Sequence, residues 1–306
     1  MAEGAPRSTL GERSLTGDRP LKHRTALVVE GGGMRGVFAA GVLDAFLEEG
    51  FNPFDLLVGV SSGAITLASY LSGQHGRYYR IITGPMSRSE FLSVRRFLTG
   101  GHLMDLDWLW EHAAACDPLH VEEAVNRPGK VFLLGVTDVA TGEPVYVEAT
   151  SENLLATLKA SCALPVIYRG FVLLGDRLVT DGGVADPIPV REAYRRGARS
   201  ITVIRTRSPE SPKGVFFDRL MATLFLRKNP ALRAGIADLH LRYRDAVSFI
   251  KRPPEDAVIH EIAPPVPLRG ARLGLRLDAI REDYRMGKDA GRGHLACLNA
   301  RAGQRP

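Results

Sequence analysis

The stretch that decides the fold is TALVVEGGGMRGVFAAGVLDAFLEEGFNPFDLLVGVSSG, residues 25–63. A short apolar run, residues 26–29, stops at an acidic residue and three glycines, and apolar side chains then recur at helical spacing as far as Gly50. A second apolar run, residues 56–58, also breaks at a glycine and is followed by a helical pattern over 65–71. This alternation predicts an α/β fold with a mainly parallel sheet whose functional loops lie at the carboxyl ends of the strands.

The rest of the chain continues the alternation and then becomes mainly helical. We expect a disordered leader over 1–24, a catalytic core over 25–207, and a helical C-terminal extension over 208–306 that packs on the core. Residues 73–126, rich in arginine and aromatic side chains, are interpreted as an insertion that borders the active site. Further strands are predicted at 131–136, 145–147, 171–174, 178–180, 201–204 and 258–262, and further helices at 152–160, 189–196, 216–227, 231–250 and 277–298.

The cysteine content and the hydropathy of the chain indicate the cellular compartment. Three widely spaced cysteines, Cys116, Cys162 and Cys297, do not suggest a disulfide framework or a metal site. Residues 1–24 lack the apolar core of a signal peptide, and no segment offers about 20 uninterrupted apolar residues. A cytoplasmic location is therefore expected.

The positive charge of the chain is unevenly placed. Residues 191–252 hold 15 Lys and Arg against 5 Asp and Glu, an excess larger than the net charge of +6 of the whole chain. A basic face favours an anionic partner, and no nucleic-acid motif accompanies it. Peripheral contact with an anionic membrane is one interpretation, with the apolar stripe of the predicted helix 216–227 resting on the surface; a solvated face and a core-facing stripe are the others.

The first motif with chemical meaning is Gly59-Val60-Ser61-Ser62-Gly63, which fits the pattern GxSxG. It lies between a predicted strand and a predicted helix, the setting of a nucleophile elbow, where glycines allow the sharp turn that exposes the serine. Ser61 is therefore the candidate nucleophile.

The second motif is Glu30-Gly31-Gly32-Gly33-Met34-Arg35-Gly36. Its bare backbone N–H groups at the start of a helix suit an anion or an oxyanion, and Arg35 adds a positive charge. The same glycines also fit GxGxxG, a dinucleotide-binding pattern. That alternative requires an acidic residue at the end of the next strand, whereas Asp55, at about the right spacing, precedes the strand.

The third motif is Asp181-Gly182-Gly183, which directly follows an apolar run. A carboxylate at a strand end can accept the proton of a nearby serine hydroxyl, although such a motif is also common in plain turns. A histidine-based triad would instead use a histidine that follows the acid, and His240, His260 and His294 are available by chain order.

Together, the triple-glycine turn with its arginine, the GxSxG elbow and the distant Asp-Gly-Gly resemble the patatin-like phospholipase family, over about residues 25–207. The stretch Lys159-Ala160-Ser161-Cys162-Ala163-Leu164-Pro165 is similar to a stretch that precedes the aspartate in that family, and residues 258–265 and 281–287 also resemble bacterial members. Two departures are minor: Gly183 stands where many members have alanine, and Ser62 where alanine or threonine is commoner.

The resemblance implies a three-layer α/β/α patatin-like fold and a lipid acyl hydrolase of the phospholipase A or lysophospholipase type. Ser61 would attack the ester, Asp181 would take its proton and later activate water, and an acyl-enzyme would form. The glycine turn, Gly31 to Gly36, would form the oxyanion hole, chiefly through the N–H groups of Gly32, Gly33 and Met34. The resemblance implies no metal and no organic cofactor, with a lipid or lysolipid as the substrate.

Three alternatives remain at this stage. A general carboxylesterase or an acyltransferase would use the same acyl-enzyme, and a non-catalytic protein would bind a membrane surface through the same scaffold.

Overall fold

The computed structural model of the chain describes residues 25–208, 226–270 and 276–302. The predicted leader, residues 1–24, lies outside these ranges. Most of the predicted helix 216–227, including its apolar stripe, also lies outside the described residues.

Within these ranges, eight strands form one sheet, and they match the predicted strands closely. The strands are β1 (Thr25–Val29), β2 (Leu56–Val60), β3 (Val131–Asp138), β4 (Pro144–Glu148), β5 (Val172–Leu174), β6 (Arg177–Asp181), β7 (Ser200–Ile204) and β8 (Val258–Ile262). Because the central strands β1, β2, β3 and β7 are rich in Val, Leu and Ile and buried on both faces, they appear in the sequence as short apolar runs.

The helices of the described residues include four within 73–126, a region whose apolar pattern alone predicted no regular element. The helices are α1 (Gly36–Glu48), α2 (Ser62–Leu71), α3 (Arg77–Thr83), α4 (Val94–Leu98), α5 (Leu106–Cys116), α6 (Val121–Val125), α7 (Leu154–Cys162), α8 (Val190–Arg195), α9 (Pro230–Lys251) and α10 (Leu277–Ala302). Short 3-10 turns stand at Gly33–Arg35, Pro85–Ser87 and Gly182–Val184.

The sheet is parallel through its centre. Its strand order is β5-β6-β3-β2-β1-β7-β8, with β4 paired to β3. The pairs β3/β2, β2/β1, β1/β7 and β7/β8 are parallel, whereas β3/β4, β3/β6 and β5/β6 are antiparallel. The carboxyl ends of the central strands therefore meet at one edge, as predicted.

Strand β3 pairs with both strands that carry the candidate site residues, β2 before the elbow and β6 before the Asp-Gly-Gly turn. Its one edge is taken by β4, so β2 and β6 share the other edge: Val60 pairs with Gly135, and Asp181 pairs with the next residue, Val136. Because β2 runs parallel and β6 antiparallel to β3, their carboxyl ends point at each other along this edge. The register of one strand thus brings the elbow and the Asp-Gly-Gly motif together.

Helices cover both faces of the sheet, which confirms the predicted three-layer α/β/α fold. One face carries Leu27, Leu57 and Leu134 against α1 and α2, and the other carries Val28, Val58 and Val203 against α8 and α9. Within the helical C-terminal part, α10 packs on α1, where the Tyr284 hydroxyl donates to Asp44 Oδ2 at 2.6 Å.

Candidate active site

Ser61 occupies a strained turn between β2 and α2. Its φ of 54° and ψ of −128° lie outside the regions that a serine prefers, and α2 starts at the next residue. Close packing requires glycine at position 63, because a Cβ there would lie 2.4 Å from the carbonyl oxygen of Val29. The predicted strand-turn-helix context of the elbow is confirmed.

A buried hydroxyl braces the elbow. The Ser61 N–H donates to Ser161 Oγ at 2.8 Å, and the Ser161 hydroxyl donates to the carbonyl oxygen of Gly135 at 2.7 Å. Ser161 is fully buried at the C-terminal end of α7. The strained turn is therefore fastened to β3 through a side chain from another helix.

Asp181 is the hydrogen-bond acceptor of Ser61. The Ser61 hydroxyl donates to Asp181 Oδ2 at 2.8 Å, and the Gly183 N–H donates to Oδ1 at 2.7 Å, which fixes the carboxylate plane. The two side chains come from positions 120 residues apart, and Asp181 is only 4% exposed. A shielded carboxylate on a serine hydroxyl has the geometry of a general base on a nucleophile.

The glycine turn lies beside Ser62. Gly33 has a φ of 58°, a conformation that glycine adopts without strain, and its carbonyl accepts from the Tyr78 hydroxyl at 3.0 Å. The Gly32 N–H donates to Ser62 Oγ at 2.9 Å. Within the described ranges, the N–H groups of Gly33 and Met34 have no acceptor, and they stand at the start of the helical segment. They are available to an anionic oxygen.

The turn is anchored at both ends. Arg35 Nε donates back to the Gly32 carbonyl at 3.3 Å. Glu30 is buried and accepts from the Thr206 N–H at 2.7 Å, with Arg207 Nε 3.8 Å from its other oxygen. Burial raises the pKa of Glu30, whereas Arg207 and the Thr206 N–H act in the opposite direction. Gly31 and Gly36 complete the turn, Gly36 as the first residue of α1.

The structure separates the alternatives raised by the sequence. Asp55 lies at the amino end of β2, where it accepts from the Thr25 hydroxyl at 2.7 Å, so it is at the edge of the sheet opposite the glycine turn. His260 and His294 lie beside each other, with ring centroids 5.9 Å apart. His240 lines the cavity described below, but the Ser61 hydroxyl donates to Asp181. Neither the dinucleotide arrangement nor a Ser–His hydrogen bond is present in the described residues.

Ser61 and Asp181 line a cavity of about 880 Å³. This volume lies within the range usual for small-molecule sites. One arm is apolar and is built largely by the 73–126 region, including Ile81, Met86, Phe91, Leu106, Leu109 and Trp110. Residues of the 73–126 region thus border the candidate site. Trp108 does not line the cavity, although it packs against the same core cluster as Trp110.

Motif reasoning missed two side chains next to the pair. Tyr78 and Cys162 both line the cavity, and burial raises the pKa of each well above its usual value. The Asp181 carboxylate adds to the effect on the Cys162 thiol. Ser161 and Cys162 belong to a stretch noted for family similarity, whereas Tyr78 has no local sequence signal.

The described part of the chain has neither a cluster of metal-ligating side chains nor a membrane-spanning helix. No group of three or more His, Cys, Asp and Glu side chains is arranged to hold a metal ion. No helix there is both long and apolar enough to cross a bilayer.

Comparison with known families gave two matches. The profile of the patatin-like phospholipase family matches residues 27–194, and a domain of unknown function, DUF6363, matches residues 229–301.

Among individual proteins, the chain is 40% identical over 296 residues to uncharacterized protein YjjU of Escherichia coli, covering 95% of this chain and 82% of that protein. It is 30% identical over 166 residues to triacylglycerol lipase 4 of Saccharomyces cerevisiae, covering 47% of this chain and 18% of the lipase. Among solved structures, human GIVD cytosolic phospholipase A2 matches with a TM-score of 0.46 at 12% identity, over 95% of this chain and 65% of that one.

Proposed function

This chain belongs to the patatin-like phospholipase family of lipid ester hydrolases, and we propose that it cleaves a phospholipid or lysophospholipid ester through a dyad of Ser61 and Asp181. The observation that carries the proposal is the 2.8 Å hydrogen bond from the Ser61 hydroxyl to Asp181 Oδ2, on the wall of a largely apolar cavity.

The first half-reaction transfers the acyl group to the enzyme. Ser61 Oγ attacks the ester carbonyl carbon while its proton passes to Asp181 Oδ2. The tetrahedral intermediate then collapses, Asp181 returns the proton to the departing alkoxide, and the acyl group remains as an ester of Ser61. In the second half-reaction Asp181 takes a proton from water, whose oxygen attacks this ester. The second tetrahedral intermediate collapses, Asp181 returns the proton to the departing Ser61 Oγ, and the fatty acid is released.

The negative charge of each tetrahedral intermediate needs fixed donors. The N–H groups of Gly33 and Met34 can donate to this charge, because they have no other acceptor among the described residues. The Gly32 N–H donates to Ser62 Oγ, so it can donate to the oxyanion only if the Ser62 side chain rotates away. Arg35 adds a positive charge and holds the Gly32 carbonyl. Gly59, Val60 and Gly63 shape the elbow, and Gly182 and Gly183 shape the turn that presents Asp181.

The apolar arm supports a fatty-acyl substrate. Side chains such as Phe91, Leu109 and Trp110 would cover the acyl chain and remove it from water, a gain of about 0.8 kcal/mol for each buried methylene group. A short acyl ester would leave this arm largely unfilled. We therefore propose a preference for long acyl chains.

Peripheral contact with an anionic membrane and a cytoplasmic location also remain proposals. The net charge of +6 supports the first, and the free thiols of Cys116, Cys162 and Cys297 support the second.

The test is fatty-acid release from phospholipid and lysophospholipid vesicles, compared with hydrolysis of p-nitrophenyl butyrate. The wild type should cleave the lipids with the higher kcat/KM, and Ser61→Ala should cleave neither substrate. Ser69→Ala, on a serine of α2 whose hydroxyl donates to the Ile65 carbonyl at 3.1 Å and accepts a long 3.5 Å bond from Arg77, should retain activity. Cleavage of the short ester alone would reject the lipid substrate in favour of a general carboxylesterase.

A further inference from the structure

The cavity has a second arm, and its wall is basic. One face of α9 runs along it, with Tyr243, Arg244, Val247 and Lys251 recurring at helical spacing. Arg205 and Arg207, which follow β7, complete this wall together with Arg252. We define the basic arm as Arg205, Arg207, Arg244, Lys251 and Arg252.

The basic arm is joined directly to the glycine turn. Glu30, which precedes the turn, lies 3.8 Å from Arg207 Nε, and the Arg207 guanidinium lies 4.8 Å from the centre of the Tyr243 ring. The Tyr243 hydroxyl in turn accepts from Arg205 at 2.9 Å. Arg244 is the next residue of the helix. The basic arm is therefore contiguous with the glycine turn, whose Gly32 N–H donates to Ser62, the residue next to Ser61.

The positive charge of this arm is only partly balanced. Among the described residues, two carboxylates contact it: Glu30 faces Arg207, and Glu261 accepts from both Arg205 and Lys251. Five cations therefore face two anions. Among the residues that the structure describes, Arg244 and Arg252 have no carboxylate partner, and both line the cavity while being exposed to solvent.

We propose that the basic arm binds the phosphate of a phospholipid headgroup that carries net negative charge. The inference rests on the proposed function, because it takes the acyl ester to lie at Ser61 with its chain in the apolar arm. A substrate with an apolar tail and an anionic head matches a cavity with one apolar and one basic arm. Guanidinium groups are suited to phosphate, which accepts two parallel N–H bonds from each.

The same arrangement disfavours a zwitterionic headgroup. The quaternary ammonium of a choline headgroup would enter a region with an excess of three positive charges, whereas a glycerol or an unsubstituted phosphate would not. The sequence interpretation assigned the excess of basic residues over 191–252 to the protein surface. In the structure, part of this excess lines the cavity. Arg244 and Arg252 are the residues expected to set this selectivity.

The experiment uses short-chain lipids as dissolved monomers, so that attraction to a charged membrane surface does not contribute. The kcat and KM of the full-length protein are measured on dihexanoyl phosphatidylglycerol and on dihexanoyl phosphatidylcholine. We expect kcat/KM to favour the glycerol lipid by roughly tenfold, mainly through KM. In the double variant Arg244→Gln/Arg252→Gln this ratio should fall toward one.

A matched control lies on the same helix. Arg233 is exposed, has no ion pair among the described residues and does not line the cavity, so Arg233→Gln should keep the wild-type ratio. Equal kcat/KM for the two lipids in the wild type, or an unchanged ratio in the double variant, would overturn the inference. Inorganic phosphate that competes with p-nitrophenyl butyrate, without any preference between the lipids, would overturn it too and assign the arm to free phosphate.

The neutral ester separates this inference from the function on which it rests. If the wild type hydrolyses neither p-nitrophenyl butyrate nor either lipid better than Ser61→Ala does, the proposed dyad fails. If the Ser61-dependent hydrolysis of both lipids is present without charge selectivity, the headgroup assignment alone fails.

Discussion

The N–H of Ser61 donates to the hydroxyl of Ser161 at 2.8 Å, across 100 residues of sequence. This bond holds the backbone of the elbow in a conformation that serine does not prefer by itself, and the same hydroxyl reaches the Gly135 carbonyl on β3. The position of the nucleophile therefore depends on a residue that does not touch the ester.

Replacing Ser161 by alanine should lower kcat by about 10- to 100-fold, because a displacement of the nucleophile by a fraction of an ångström misaligns the attack. It should also lower the free energy of unfolding by about 1–3 kcal/mol, since a buried donor and a buried acceptor lose their partner. Steady-state kinetics and urea denaturation check both. Ser69→Ala is the control, and a Ser161→Ala enzyme with unchanged kcat would remove the positioning role.

Close packing of α10 on α1 gives a second prediction. A Cβ at Gly287 would lie 2.1 Å from the Phe38 carbonyl oxygen, whereas in the described residues a Cβ at Gly293 would meet no atom within 4 Å outside its own helix. Gly287→Ala should therefore destabilise the protein by about 1–3 kcal/mol, and Gly293→Ala should stabilise it by about 0.5–1 kcal/mol. Thermal melting of the two variants tests this contrast, and a change of the same sign in both would contradict it.

Glu48 links the same two helices and gives a prediction about pH. Its contacts with Lys288, His75 and Arg292 lower its pKa to about 2. Because the folded-state pKa is below the unfolded one, the stabilisation is complete above about pH 5 and is lost as the pH falls toward 2. Since Glu48 is partly exposed, we expect a contribution of only about 1 kcal/mol at pH 7.

Glu48→Gln should thus lower the urea midpoint at pH 7 and lower it much less at pH 3. Glu49→Gln, at the adjacent exposed position, is the control and should change neither. A Glu48→Gln defect of equal size at both pH values would show that the loss is one of packing instead of charge.

Local sequence patterns were sufficient for the core of the fold. The apolar runs at 26–29 and 56–58 gave β1 and β2 to within two residues at each end, and the glycines placed the turns at their carboxyl ends. Strand β8 was predicted with its observed limits, Val258–Ile262. The runs of β1 and β2 are informative because a buried parallel strand must be apolar on both faces.

Relations between distant residues could not be predicted in this way. Asp181 pairs with Val136 on β3, next to Gly135, which pairs with Val60. This register depends on the packing of three strands. Periodicity also missed α3 to α6. Helices α3, α4 and α6 span only five to seven residues, too few for an apolar stripe to repeat, whereas α5 does carry such a stripe at Leu106, Leu109, Trp110 and Ala113. The number of basic residues in α9 likewise does not indicate that its basic face lies along the cavity.

The central claim, that Asp181 acts as the base for Ser61, is tested most directly by the rate at which a fluorophosphonate probe labels Ser61. Asparagine keeps the shape of the carboxylate but cannot take the proton, so Asp181→Asn should label about 100- to 10,000-fold more slowly than wild type, while its circular dichroism stays unchanged. Labelling of Ser61 in Asp181→Asn at the wild-type rate would contradict the account and return the role of base to another residue.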